Sequence, residues 1–216
     1  MRAMNMNSRA GFNKAPAPAA PAVHAAPAAL CTTDGLLQTT HSGFQGGGYG
    51  QQGSGNADCL LLSTLADGSL ALGADAAAGL IYMIEEEKMA RDLYDAFADQ
   101  TGSVVFDRIS DLEQRHLDSL LLVAQKAGID LTAVSTTAGV FTNTAIQSLY
   151  DTLLAQGSVS LDAAYGVGVL VEQTDIADLQ EYSADASIGI VGTIYGHLET
   201  GSEHHLAAFT QYAALV

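Results

Sequence analysis

The residues of this chain best suited to chemistry are Glu87, Glu113 with His116, Glu172 with Asp175, and His205. Carboxylates and imidazoles hold divalent metal ions or move protons. Glu113-x-x-His116 sets a carboxylate and an imidazole one turn apart on one helix face, the spacing with which helical bundles hold dinuclear metal. Each of these residues interrupts an otherwise apolar stripe. The first stripe runs Leu80, Met83, Glu87, Ala90, Tyr94, Phe97, and the second Phe106, Ile109, Glu113, His116, Leu120, Val123, Ala127. The third runs Leu161, Tyr165, Gly168, Glu172, Asp175, Leu179, Tyr182, and the last Val191, Ile194, Leu198, Gly201, His205, Ala208, Tyr212. An unpaired charge in a core costs several kcal/mol. These ionisable groups at similar depth therefore need a common counter-charge, and no Lys or Arg falls on the stripes to supply it. Four carboxylates carry about the charge that neutralises two divalent ions, and oxygen with imidazole donors suits iron or manganese. Without metal the carboxylates would repel one another, so removing Glu113 from the metal-free protein is expected to raise its stability.

The elements that must position these groups follow from the same spacing. Steps of 3 and 4 predict amphipathic helices at about 75–100, 104–127, 160–182 and 186–213. A loop at 128–142 leads to a short helix near 143–156, and no proline follows residue 74. Gly102, Gly128 and Gly157 stand where C-terminal caps are wanted, and Ser160 and Asp185 where N-caps are. The expected fold class is all-α: an antiparallel four-helix bundle with one extra short helix and a low-complexity N-terminal tail. Glu85 and Glu86 are expected on a solvated face beside Lys88 and Arg91, with Glu86 the alternative if the register of Glu87 is wrong. His197 and His204 fall off the stripe and should be exposed, while His24 and His41 carry no spacing signal.

The first third of the chain is a different material. All 4 prolines lie in the first 27 residues, within an Ala/Pro alternation at 15–30 that should be extended, and 42–55 are Gly-rich. Residues 1–73 are neutral, so the net charge of -16 in this 216-residue chain lies wholly in 74–216. The boundary between tail and bundle is set there. Such acidity argues against nucleic acid or an anionic membrane as partner. No apolar run is long enough for a membrane span. No secretory signal is visible, which favours the cytoplasm. Cys31 and Cys59, outside any CxxC pair, read as plain thiols, the alternative being a disulfide between them in an oxidising compartment.

Four stretches carry a family resemblance: EEEKMARDLY (85–94), LEQRH (112–116), VEQTDIADL (171–179) and GSEHHLAAF (201–209). They resemble the signatures of a ferritin-like family catalogued as domain of unknown function 2202, from about residue 76 to the C-terminus. Glu87-x-x-Ala90-x-x-x-Tyr94 is also similar to the first-helix pattern of rubrerythrins. There the Glu is a metal ligand and the Tyr lies close to the metals, which makes Tyr94 the candidate redox residue. Glu113-x-x-His116 resembles the second-helix motif, and Glu172-x-x-Asp175 the third-helix carboxylate pair. The last helix departs from the pattern, with Ser202-x-x-His205 in place of Glu-x-x-His, and Glu199 and Glu203 lie off that face. Asp175 could supply the missing carboxylate from the neighbouring helix.

The resemblance implies two divalent metal ions, iron or manganese, held by Glu87, Glu113, His116, Glu172, Asp175 and His205. It further implies oxygen or peroxide as reactant, an oxidase, peroxidase or ferroxidase activity, and a homo-oligomer. The alternative is a non-enzymatic assembly module, with a vestigial metal site and a tail that mediates polymerisation or tethering. Asp67–Gly73 resembles the peptides that direct ferritin-like cargo into encapsulin shells, which implies a shell partner. Read plainly, it is the entry loop of the first helix.

Overall fold

The computed structural model describes residues 66–184 and 189–215. They form five helices: α1 (Ala74–Thr101), α2 (Val104–Ala127), α3 (Thr144–Gly157), α4 (Leu161–Ser183) and α5 (Ile190–Ala213). Among the described residues there is no strand. The expectations for the tail, for Cys31 and Cys59, for His24 and His41 and for the Asp185 cap fall outside the described residues.

Local chemistry sets most helix ends. Gly102 and Gly128 take the left-handed conformation that closes α1 and α2, with the Gly102 N–H donating to Ala98 O. The side chains of Ser103, Asn143 and Ser160 accept the first free N–H groups of α2, α3 and α4. Gly157 is not the cap expected of it. It is the last residue of α3, and a Cβ there would lie 2.2 Å from Phe97 Cζ. The glycine admits an aromatic ring rather than ending a helix.

The two-residue link 102–103 folds α1 back on α2, and α4 likewise pairs with α5. The two hairpins close on each other, α1 against α4 and α2 against α5, while α3 lies on α1 and α4. The bundle core has two apolar halves. One holds Tyr94, Phe97, Phe106, Leu153, Tyr165 and Phe209. The other holds Leu80, Met83, Leu120, Val123, Leu179 and Ile194. Each fully buried side chain of this size contributes about 1.5–3 kcal/mol. The ionisable residues of the stripes lie in the layer between.

The last helix is rotated slightly from the expected stripe. Ser202 and Phe209 are fully buried, whereas Tyr212 is 39 % exposed. Residues 67–72 lie along the bundle rather than away from it. Asp67 accepts from Lys126 Nζ (2.8 Å), Leu70 N donates to Lys126 O, and Leu70 and Leu72 pack on the second apolar half. That is the behaviour of a helix-entry loop.

Candidate metal centre

Glu113, at mid-length of α2, is the hub. Its Oε1 lies 2.7 Å from His205 Nδ1 and its Oε2 lies 2.9 Å from His116 Nδ1. Glu87 Oε2 stands 3.4 Å from the same His116 nitrogen, and Glu172 Oε2 stands 3.6 Å from His205 Nδ1. The two imidazole rings stack with centroids 5.3 Å apart. Tyr94 donates its phenolic hydrogen to Glu172 Oε1 at 2.5 Å. The carboxylates are almost wholly buried, at 1 % exposure for Glu87 and Glu172, 2 % for Glu113 and 4 % for Asp175.

Each helix reaches this layer because its apolar neighbours one turn away are buried on the same side, so burying the stripe carries the ionisable residue inward. His116 needs one more concession. A Cβ at Gly201 would stand 2.5 Å from His116 Nε2, so only glycine in α5 leaves room for the ring.

Charge in the layer is shared unequally. Burial raises the Glu113 pKa, but the facing His205 and His116 outweigh it and hold that carboxyl well below its usual range. Burial alone would lower the pKa of both imidazoles. Glu87 and Glu113 instead raise that of His116 well above normal, and Glu113 with Glu172 lifts that of His205 to about 10. Burial dominates at the other carboxyls. It pushes Glu87 up to about 8 and Glu172 up to about 7, and with the Glu87 and Glu172 charges it drives Asp175 well above its normal value. These directions point the other way from simple carboxylate repulsion. Glu113 faces two imidazole nitrogens at 2.7 and 2.9 Å, so its removal from the metal-free protein is expected to cost stability rather than add it.

The donor set can be tested for metal on its own geometry. One ligand atom from each of Glu113, His116 and His205 lies within 4.8 Å of the others, a group that a single ion could join. Glu87 Oε1 and both oxygens of Asp175 are buried with no hydrogen-bond partner. Buried polar atoms are normally satisfied, so these oxygens fit ligands better than they fit structural polar groups. Ser202 is not a stand-in for the absent glutamate, since its hydroxyl donates to Leu198 O at 3.0 Å. Asp175 is the carboxylate that faces the layer from the neighbouring helix.

The expected solvated face of α1 is corrected. Glu85, Glu86 and Lys88 are 3 %, 2 % and 3 % exposed. The loop at 128–142 and α3 cover this side of α1, a contact no helical spacing reveals. Glu85 accepts the backbone N–H groups of Thr142 (2.6 Å) and Asn143 (2.8 Å). Lys88 Nζ donates to Asp92 (2.7 Å), Thr137 O (2.8 Å) and Val140 O (3.3 Å). Glu86 turns instead toward α4. Burial, then the Asp175 and Asp178 charges, raise its pKa well above normal, and its Oε2 has no partner. His204 is exposed as expected, and His197 is half-buried.

The chain belongs to the DUF2202 family, described as an uncharacterized protein domain, whose model matches residues 76–214. It is similar to the uncharacterized protein MJ0754 of Methanocaldococcus jannaschii, at 34% identity over 133 residues, covering 62% of this chain and 72% of the relative. The crystal structure of hypothetical protein MJ0754 from Methanococcus jannaschii superposes with a TM-score of 0.65 at 31% identity. That match covers 66% of this chain and 82% of the other.

Proposed function

We propose that this chain is a dinuclear-metal carboxylate protein of oxidase, peroxidase or ferroxidase type, loaded with iron or manganese. The observation that carries the reading is Glu113, whose two oxygens each face a different imidazole. A carboxylate so engaged is suited to lie between two ions. Glu87 and His116 would serve one ion, Glu172 and His205 the other, and Asp175 would add the carboxylate that α5 lacks. The metal-ligand group of Glu113, His116 and His205 is the part of this set with the tightest geometry.

Bound iron or manganese would supply the redox chemistry, giving electrons to dioxygen or peroxide and, in the ferroxidase case, taking them from further ferrous ion. The residues of the chain do the rest. In the metal-free layer Glu87 and Glu172, their pKa values raised to about 8 and about 7, hold protons that metal binding would displace. Tyr94 donates its hydrogen to Glu172 and keeps its proton, because burial and the Glu172 charge raise its pKa well above normal, so it orients that carboxylate. Phe106 and Phe209, packed on the Tyr94 ring at 5.8 and 5.0 Å, close that end against water.

Metal analysis of protein purified without oxygen, then reconstituted with Fe(II) or Mn(II), tests the reading. About two equivalents per chain are expected, as a two-metal site requires. The Glu113→Ala variant should lose most of them. A wild-type chain that takes up no metal under these conditions would sink the proposal and favour the assembly-module alternative.

A further inference from the structure

The inner layer is buried except at His116, whose side chain is 14 % exposed, so an ion enters either past that ring or through protein. The α1–α4 seam offers a graded series of carboxylates. Asp178 stands at the outer end, half-buried and accepting the Tyr82 hydroxyl on Oδ2 at 3.1 Å. Glu86 lies inward of it on α1, within hydrogen-bonding reach of Asp178 and under the electrostatic influence of Asp175 and Glu172. It is 2 % exposed, and its Oε2 has no hydrogen-bond partner. Asp175 comes next, one turn before Asp178 on α4, with both oxygens unpartnered. The cations nearest in sequence, Lys88 and Arg91, are committed to Asp92.

A buried carboxylate with an unanswered oxygen beside a second carboxylate is costly in a fold that needs neither. Glu86 caps no helix and supports no loop, unlike Glu85 beside it. Two rings flank the seam, Tyr82 and Tyr182, with centroids 5.9 Å apart. Glycine at position 79 admits the second ring, since a Cβ there would stand 2.7 Å from Tyr182 Cδ1. The seam is thus oxygen-lined within and aromatic-walled at its outer end, a setting for a hard divalent cation shedding water.

We propose that Glu86 and Asp178 form an outer divalent-cation site, through which metal passes by way of Asp175 to the inner layer. The inference rests on the inner-site reading and assigns its route of loading. The outer site binds weakly and in passing, so its signature is a rate rather than an occupancy.

Stopped-flow mixing of metal-free full-length protein with Co(II), followed by the visible absorption of the bound ion, measures that rate. Glu86→Gln and Asp178→Asn should each slow loading by about tenfold, the scale on which a focused charge raises local cation concentration. Both should reach the wild-type plateau. The conservative changes keep the acceptor for Tyr82 and the side-chain volume, and circular dichroism checks that each variant folds. Glu203→Gln, an exposed change on α5, should load at the wild-type rate. Loading of both seam variants within twofold of wild type overturns the route while leaving the inner site intact. So does equal slowing by Glu203→Gln, which would make the effect one of net charge. A reduced plateau in Glu86→Gln also overturns it, by making Glu86 an inner ligand. A wild-type chain that binds no Co(II) defeats the inner-site reading itself.

Discussion

Two buried charge networks meet on α1, and neighbouring residues belong to different ones. Glu85, Lys88, Arg91 and Asp92 form the first. Asp92 accepts from Lys88, from the Arg91 guanidinium and from Gly139 N, while Glu85 accepts two backbone N–H groups at the start of α3. Every charge there has a fixed answer within the chain. Glu86 and Glu87, with Glu113, Glu172, Asp175 and the two histidines, form the second, where several oxygens have none. Both networks are largely buried and both hold carboxylates, but the first contains Lys88 and Arg91 and the second only imidazoles to answer them. What separates a network that holds the fold from one shaped for a ligand is whether its polar atoms are already satisfied.

The largest effect should come from breaking the hub of the open network. Glu113→Ala removes the anion shared by two imidazolium groups, and loss of one partner from a buried ion pair costs about 3–5 kcal/mol. The loss should grow when wild type and variant are compared with metal present, because metal binding to the native state adds to its stability. Urea unfolding with and without Mn(II) reads both. Asp92→Ala in the closed network should cost a similar amount, about 3–5 kcal/mol, but equally with and without Mn(II). A metal-dependent cost for Asp92→Ala would erase the distinction between the networks.

Asp175→Asn should act in the opposite direction. In the metal-free protein it removes a carboxyl whose pKa burial and the Glu87 and Glu172 charges raise well above normal, so unfolding should become harder by on the order of 1 kcal/mol. Metal content should fall in the same variant.

Next in size is the response to pH. Glu87 and Glu172 have folded-state pKa values of about 8 and about 7, above the ordinary 4.5. Groups raised in this way stabilise the fold fully below their unfolded pKa, and that stability is lost as pH rises through the folded values. The metal-free protein should therefore weaken between about pH 4.5 and pH 8, and level off above that. Metal uptake must expel those protons, so affinity should rise over the same range. Thermal melts and Mn(II) titrations in matched buffers check both slopes. The smallest effect is expected at Asp67, whose pair with Lys126 is solvent-exposed on the Asp67 side. Asp67→Asn should leave the melting temperature unchanged within error, since exposed ion pairs contribute little.

The helices and the members of the open network other than Glu86 were legible because both obey one periodicity. A residue spaced 3 or 4 from Leu80, Met83 and Tyr94 must go where they go, whatever its charge, and Glu87 does. The closed network was illegible for the same reason. Glu85 and Lys88 beside Arg91 look like a solvated charge run, and only the return of the loop at 128–142 over α1 buries them. Spacing within a helix carries no record of what a distant segment will cover. Ser202 and Phe209 were missed because the stripe on α5 was drawn through Gly201 and Ala208, one position off at those two steps, while Val191, Ile194 and Leu198 are buried as drawn. His205 belongs to both readings, so the error left the site in place.

Gly201 has a consequence for how such chains can diverge. Its missing side chain is the space that His116 Nε2 occupies, from a helix far away in sequence. Sequence drift at the two positions is therefore coupled. A relative that gains even a methyl group at the position of Gly201 must shift or surrender the imidazole opposite, and one that has lost the imidazole is released from keeping the glycine. Across an alignment of relatives, the two should change together, and the glycine would mark which members keep the imidazole as well as any ligand does.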